Sequence, residues 1–372
     1  MMFSMILFES TTSSRSVSSA STTVMLLTSI WQSLLHRSPI GVDDNFFRLG
    51  GNRRIADLLF ADIARKTGRE VPSATIFHAQ TIAALAFVLD QPTFPRFSPF
   101  VQMKPGAKEP PILIAPGLDG CASFSKLTTR IQTQHPIYGM QAKGVDGMEN
   151  PFDCVEDMAQ YYVEGLNELQ ACGPYILIGY SFGGLVALEM AQRLSDCGKQ
   201  VGLLVLIDAY PHPRNLSTGP RLRLAVQRAA RHISEMKEKP IRGAMAYLLS
   251  GLKRRLGIAG ANGGPDLSET SRLSLAHTTL QVKDKSYVAL ARYRPRAYCG
   301  DVKFLKGEND TYFPGDPRSV WAHLTRTFEV ESVPGTHLDM VTTHFEGLAA
   351  ALTRCLGELC YSHCRKWSKG RD

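Results

Sequence analysis

Several things are scarce in this sequence, and each shortage removes a class of protein. No apolar run reaches the length of a membrane-spanning helix. "MMFSMILF" opens with apolar residues, but no basic stretch precedes them, Glu9 interrupts them and no clear cleavage site follows, so no signal peptide is expected. The 372 residues include eight cysteines, at 121, 154, 172, 197, 299, 355, 360 and 364, and no CxxC pair of the kind that holds zinc or cycles redox. Cys360, His363 and Cys364 cluster near the end, yet three ligand types in a basic tail fall short of a metal site, and no metal is expected. Scattered thiols are the pattern of a reducing compartment, which makes the expected location cytoplasmic. Charged residues are a little sparse at 20%, while apolar content is ordinary at 44%, so the chain reads as globular, neither disordered nor fibrous.

Positive charge is in excess, and it is local. The net charge is +8, and between Arg221 and Arg255 ten Lys or Arg stand against two Glu, a balance (10 − 2) equal to that of the whole chain. Such a stretch is either a solvated helical face or a docking surface for an acidic partner. Aromatics do not interleave with these bases as they would on a nucleic-acid surface, so neither DNA nor RNA is an expected partner.

Length alone suggests about two domains. Residues 1–23 include the Ser/Thr-rich "ESTTSSRSVSSASTT" and read as an unstructured tail. Residues 24–90 turn helical: "MLLTSIWQSLL" and "RIADLLFADIARKTG" place apolar residues on one helical face, Gly68 stops the second, and "TIAALAFVLD" supplies a third. A small helical bundle follows from this pattern. Six prolines between Gln91 and Pro111 mark an interdomain linker over 91–110. From 111 to 360 strand-like runs ("PILIA", "IYGMQ", "YILIG", "GLLVLID", "VKFLKG") alternate with helical ones, which predicts an α/β domain on a mainly parallel sheet. The strands vanish between about 211 and 285, where a helical, basic insertion takes their place, and 361–372 form a basic tail.

"GYSFG", Gly179–Gly183, fits a nucleophile elbow, with a strand before it and a helix after it. A turn that tight leaves no room for Cβ atoms at Gly179 and Gly183 and should hold Ser181 strained, its hydroxyl raised above the sheet edge. A serine hydroxyl needs a base, and the base needs an orienting acid. His337, in "SVPGTHLDM" after a strand-like run, is the favoured base over His344, which falls in a helical pattern. Asp208, ending "GLLVLID", and Asp310, in "KGENDTYF", compete as the acid, since both strand ends reach one sheet edge. The oxyanion requires two backbone N–H donors: that of Phe182, and one from "IAPGLDG" at Gly117 or Leu118.

Taken together, "PPILIAPGLDG", "HPIYGMQAKGVDG", "LIGYSFGGLVALEMAQRL", "LLVLIDAYP" and "VPGTHLDM" resemble the type I thioesterase domain that ends nonribosomal peptide and polyketide synthetases. The resemblance implies an α/β-hydrolase fold with a helical lid at about 211–285, and it places the acid after the strand that follows the nucleophile helix, favouring Asp208. "IWQSLLHRSPIGVDDNFFRLGGNRRIADLLFADI" is similar to the peptidyl or acyl carrier domains that precede such thioesterases. In those domains LGG and one polar residue lead to the serine that takes phosphopantetheine; here "LGGNRR" has Arg53 in that place.

The resemblance therefore implies an acyl-thioesterase of secondary metabolism, with Ser181, Asp208 and His337 as triad and no cofactor bound by the chain itself. Its substrate would arrive on the phosphopantetheine of a separate carrier or on coenzyme A, and its partner would be a carrier protein or synthetase module acting in trans. The basic insertion, Arg228 and Arg231 included, would then face an acidic carrier. A general carboxylesterase and a non-catalytic docking module are the alternatives.

Overall fold

The computed structural model describes residues 16–91, 98–107, 109–118, 120–170, 172–216, 218–226, 274–309 and 313–368. They fall into two compact units. One holds the N-terminal residues up to Ser98 with two short excursions, 145–148 and 274–278; the other holds the remainder.

The N-terminal unit is built from three helices, α1 (Ser16–Leu35), α2 (Arg53–Thr67) and α3 (Ile82–Asp90), with a 3-10 turn at Ser73–Phe77. Asn52 caps α2 by accepting the amide of Ile55, Thr81 caps α3 by accepting that of Ala84, and Gly68 ends α2 in the left-handed region at φ 70. Each such side-chain cap contributes about 1 kcal/mol. Leu27, Ile30 and Trp31 of α1 and Leu59, Phe60 and Ile63 of α2 are buried, at the helical spacing the sequence shows. Trp31 meets Phe46 edge-on, and Phe47 stacks on Phe77. A Cβ on Gly51 would fall 2.3 Å from the Phe46 ring, so the second glycine of "LGG" is a packing requirement. The first helix corrects one expectation: it begins at Ser16, so 16–23 are helical rather than an unstructured tail, and Thr23 donates to Asp90 of α3. The low-complexity composition concealed a helix that continues upstream of the apolar stripe.

The second unit carries a seven-stranded sheet in the order β1-β3-β2-β4-β5-β6-β7. The strands are β1 (Phe100–Lys104), β2 (Ile112–Ala115), β3 (Ile137–Met140), β4 (Tyr175–Tyr180), β5 (Val201–Ile207), β6 (Tyr298–Gly307) and β7 (Thr325–Val333). All pairings are parallel except β1 with β3. The central strands are apolar throughout because both faces are covered. Leu113, Leu177, Leu204 and Phe304 point to one face, towards α5 (Val155–Leu169) and α6 (Phe182–Asp196). Ile114, Ile178, Val205 and Leu305 point to the other, towards α4 (Ser125–Arg130) and the long C-terminal helix. Strand β1 corrects a second expectation, since it lies inside the proline-rich 91–110 stretch. Prolines around an antiparallel edge strand cost no ladder bond, so the composition of a linker hid a strand.

The insertion is helical where it is described: a 3-10 turn at Pro213–Asn215, α7 (218–226) and α8 (Leu275–Arg292). The basic residues at 228 and 231 lie outside the described residues. After α9 (Arg318–Trp321) and β7, α10 runs Phe345–Ser368, so helix continues into the expected basic tail. The side chains of Cys360, His363 and Cys364 lie outside the described residues.

Burial pushes the His78 imidazole from 6.5 down to about 4. Between those values the unfolded chain binds a proton that the folded chain does not, so stability is full above about pH 6.5 and is lost as the pH falls towards 4. Protection factors of the Leu59 and Ile63 amides, corrected for the intrinsic exchange rate, should fall as the pH drops across that window in the native protein, and His78→Gln should flatten the dependence. An unchanged profile in the variant would contradict the assignment to His78.

Candidate active site

The site is assembled where the carboxyl ends of β4, β5 and β6 come level. Ser181 follows β4 directly and begins α6, with φ 54 and ψ −124, a conformation that costs a non-glycine residue about 1–3 kcal/mol. Its amide donates to the Ile207 carbonyl at 2.8 Å. The glycines around it are set by close approach: added Cβ atoms would stand 2.4 Å from Gly184 Cα at Gly179, 2.2 Å from the Pro116 carbonyl at Gly183, and 2.2 Å from Ala209 Cβ at Gly184. These glycines thus let α6 sit directly against the ends of β2 and β5.

One residue past β5, Asp208 also has positive φ, at 43, and its amide donates to Leu305 of β6 at 2.9 Å. The residue is 1% exposed. Its Oδ1 accepts the Gly307 amide at 3.2 Å, and a Cβ at Gly307 would lie only 3.2 Å from Oδ2. A buried carboxylate is costly unless hydrogen-bonded, and here the glycine backbone supplies one donor.

His337 comes from the loop after β7. Gly335 turns the chain there at φ 100, and Asp339 Oδ1 accepts the Thr336 amide at 2.5 Å, closing a short turn around the histidine. The imidazole stacks on Tyr180 with ring centroids 5.0 Å apart and meets Phe313 at 4.7 Å. Tyr180 also donates its hydroxyl to the His337 carbonyl. With ring and backbone both held, His337 Nε2 lies 3.0 Å from Ser181 Oγ, and Nδ1 lies 3.5 Å from Asp208 Oδ2. The second distance is long for a hydrogen bond, and neither of its two atoms has another hydrogen-bond partner among the described residues. Catalytic contacts of this kind often tighten only when substrate is bound.

Ser181, Asp208 and His337 are therefore brought together in one line. Asp310, the competing acid, lies outside the described residues. His344, the competing base, stands just ahead of α10 with its ring against Gly335, while the Ser181 Oγ contact is made by His337. Gly117 lies beside the serine, where a Cβ would come 3.4 Å from Ser181 Cβ, and Leu118 and Phe182 are on the wall of the adjoining cavity. Tyr180, Phe313 and Gly307 were not singled out from the sequence. Tyr180 was discoverable as the variable residue of the elbow; the other two carry no local signal.

The cavity beside Ser181 measures about 450 Å³. Tyr210, Leu216, Leu224, Tyr287, Leu290 and Phe313 give it a largely apolar wall; Leu216 and Leu224 come from the insertion, and Tyr287 and Leu290 from α8, which runs on from it. Such a chamber suits an apolar ligand.

In the N-terminal unit, the first residue of α2 after the cap Asn52 is Arg53. Between Pro39 and Pro72 the only side-chain hydroxyl is that of Thr67, at the far end of α2, where it donates to the Ile63 carbonyl.

Comparison with known proteins gives this geometry a family. A thioesterase-domain family model matches residues 110–356, and a phosphopantetheine-attachment-site model matches residues 26–87. The chain is 30% identical over 326 residues to a dimodular nonribosomal peptide synthase of Bacillus subtilis (strain 168), covering 85% of this chain and 13% of that one. It is 36% identical over 179 residues to indigoidine synthase of Dickeya dadantii (strain 3937), covering 48% and 12%. A solved four-domain nonribosomal peptide synthetase bound to AMP and glycine shares the fold with a TM-score of 0.52 at 20% identity, over 95% of this chain and 27% of that one. The chain spans 13%, 3% and 5% of the length of the first three curated relatives it matches. It belongs to the thioesterase-domain family, on an α/β-hydrolase fold, with a helical segment of the phosphopantetheine-attachment type ahead of it.

Proposed function

We propose that the chain is a serine acyl-thioesterase that releases acyl or peptidyl chains during nonribosomal peptide or polyketide synthesis. The observation that carries this reading is the 3.0 Å separation of Ser181 Oγ from His337 Nε2, on a serine held at φ 54. His337 takes the hydroxyl proton as Ser181 attacks the thioester carbonyl. Asp208 orients the ring and stabilises its charged form. The amides of Phe182 and of Gly117 or Leu118 receive the oxyanion. The carbon–sulfur bond then breaks, and the thiol leaves with the proton from His337. Water, or a nucleophile within the acyl chain, resolves the acyl-serine by the same proton relay in reverse.

The acyl group comes from a partner. Arg53 occupies the position where attachment requires a hydroxyl, and an arginine side chain cannot be phosphorylated there. The N-terminal unit therefore does not fit the prosthetic group that its family implies. The substrate thioester is carried on the phosphopantetheine of a separate carrier protein or synthetase module, or on coenzyme A, in a reducing compartment.

A fluorophosphonate probe should label the protein at Ser181, with labelling abolished in Ser181→Ala, and Asp208→Asn should lower kcat on an acyl thioester by about three to four orders of magnitude. Labelling that persists without Ser181, or equal rates on matched thioester and oxygen-ester substrates, would count against the reading. Separately, a phosphopantetheinyl transferase with coenzyme A should leave the mass of the chain unchanged; a gain in mass on α2 would overturn the account of Arg53.

A further inference from the structure

A second cavity, of about 310 Å³, adjoins the first, with Pro211 and Leu216 contributing to both walls. Its chemistry is different. Arg214, Arg294 and His323 line it, and no acidic residue does among the described residues. None of these three side chains forms an ion pair among the described residues. Neighbouring arginines do meet acids: Arg292 reaches Asp153 and Arg296 reaches Asp196. The two arginines of this pocket are also brought together by design of the backbone. Asn215 Nδ2 donates to the Tyr293 carbonyl at 2.7 Å, which ties the residue after Arg214 to the residue before Arg294. Two arginines and a histidine lining one hollow, with no carboxylate among its described lining residues, suit a compact oxyanion such as a phosphate.

We propose that this pocket binds the phosphate of an incoming phosphopantetheine thioester, so that the pantetheine arm runs along the shared Pro211–Leu216 wall and delivers its acyl end to Ser181. The inference rests on the thioesterase reading above and adds to it the place where the arm is gripped. The phosphate is common to a carrier-bound arm and to coenzyme A. Arg214 and Arg294 hold it through paired N–H donors, and His323 adds a third.

Calorimetric titration of the whole protein with 4′-phosphopantetheine and with pantetheine isolates the phosphate. The former should bind at least about tenfold more tightly, a difference of about 1.4 kcal/mol. The preference should disappear in Arg214→Ala/Arg294→Ala and persist in part in Arg214→Lys/Arg294→Lys, with circular dichroism checking that both variants are folded. Coenzyme A is titrated in parallel: affinity equal to that of phosphopantetheine assigns the pocket to the shared phosphate, and tighter binding that is lost with the arginines assigns it to the nucleotide's further phosphates. Equal affinity for phosphopantetheine and pantetheine in the native protein, or a preference that survives loss of both arginines, would overturn the proposal. Hydrolysis of an acyl-N-acetylcysteamine thioester, which has no phosphate, reports separately on the catalytic reading, so a failed phosphate site and a failed thioesterase assignment give different results.

Discussion

Two backbone hydrogen bonds underlie the whole site. The parallel ladder continues one residue beyond the ends of β4 and β5, through Ser181 N–H to the Ile207 carbonyl and Asp208 N–H to the Leu305 carbonyl. Both residues have positive φ without being glycine. A strained residue persists only where its surroundings over-determine it. Here the ladder pins the amide while the chain departs at once, into α6 in one case and into the insertion in the other. That departure is what lifts both side chains off the sheet and towards the same point.

The histidine is held in another way. It sits on a loop, and loops are mobile unless tied down. Gly335 and Asp339 shape the turn, Tyr180 grips the His337 carbonyl, and the Tyr180 and Phe313 rings enclose the imidazole. Tyr180 thus joins the elbow to the histidine loop by ring and by hydroxyl. The helical insertion is anchored from below: Asn215 holds the carbonyls of Ala291 and Tyr293, and the Tyr293 hydroxyl donates to buried Glu189 on α6. The helix that Ser181 caps therefore also steadies the wall of the cavity.

The N-terminal unit separates fold from chemistry. Its caps, its aromatic cluster around Phe46 and its close-packed Gly51 are all present, while the position next to the cap carries arginine. Nothing in the packing of α2 calls for a hydroxyl at Arg53, which is solvent-exposed at a helix start. The core of the bundle accordingly does not depend on which side chain stands at position 53.

Much of this was legible in the linear chain, because local physics writes it there. Runs such as "YILIG" and "GLLVLID" are apolar on both faces and announce buried parallel strands; "GYSFG" between strand and helix announces a strained turn. Where composition and structure part company, the reading failed. Strand β1 was hidden among prolines that an edge strand tolerates, and the start of α1 among serines and threonines. Asp208 and Asp310 both follow strand-like runs, and the resemblance strengthens the preference for Asp208. By itself the sequence determined which residue types stand at the strand ends and how the helices are patterned, since these depend on neighbours a few positions away. Only the tertiary structure decided that Gly307 supports the carboxylate, that Phe313 and Tyr180 enclose the imidazole, and that Arg214 and Arg294 share one hollow. Those contacts join segments up to 157 residues apart, and such pairings are made by sheet order and loop packing, which no local pattern encodes.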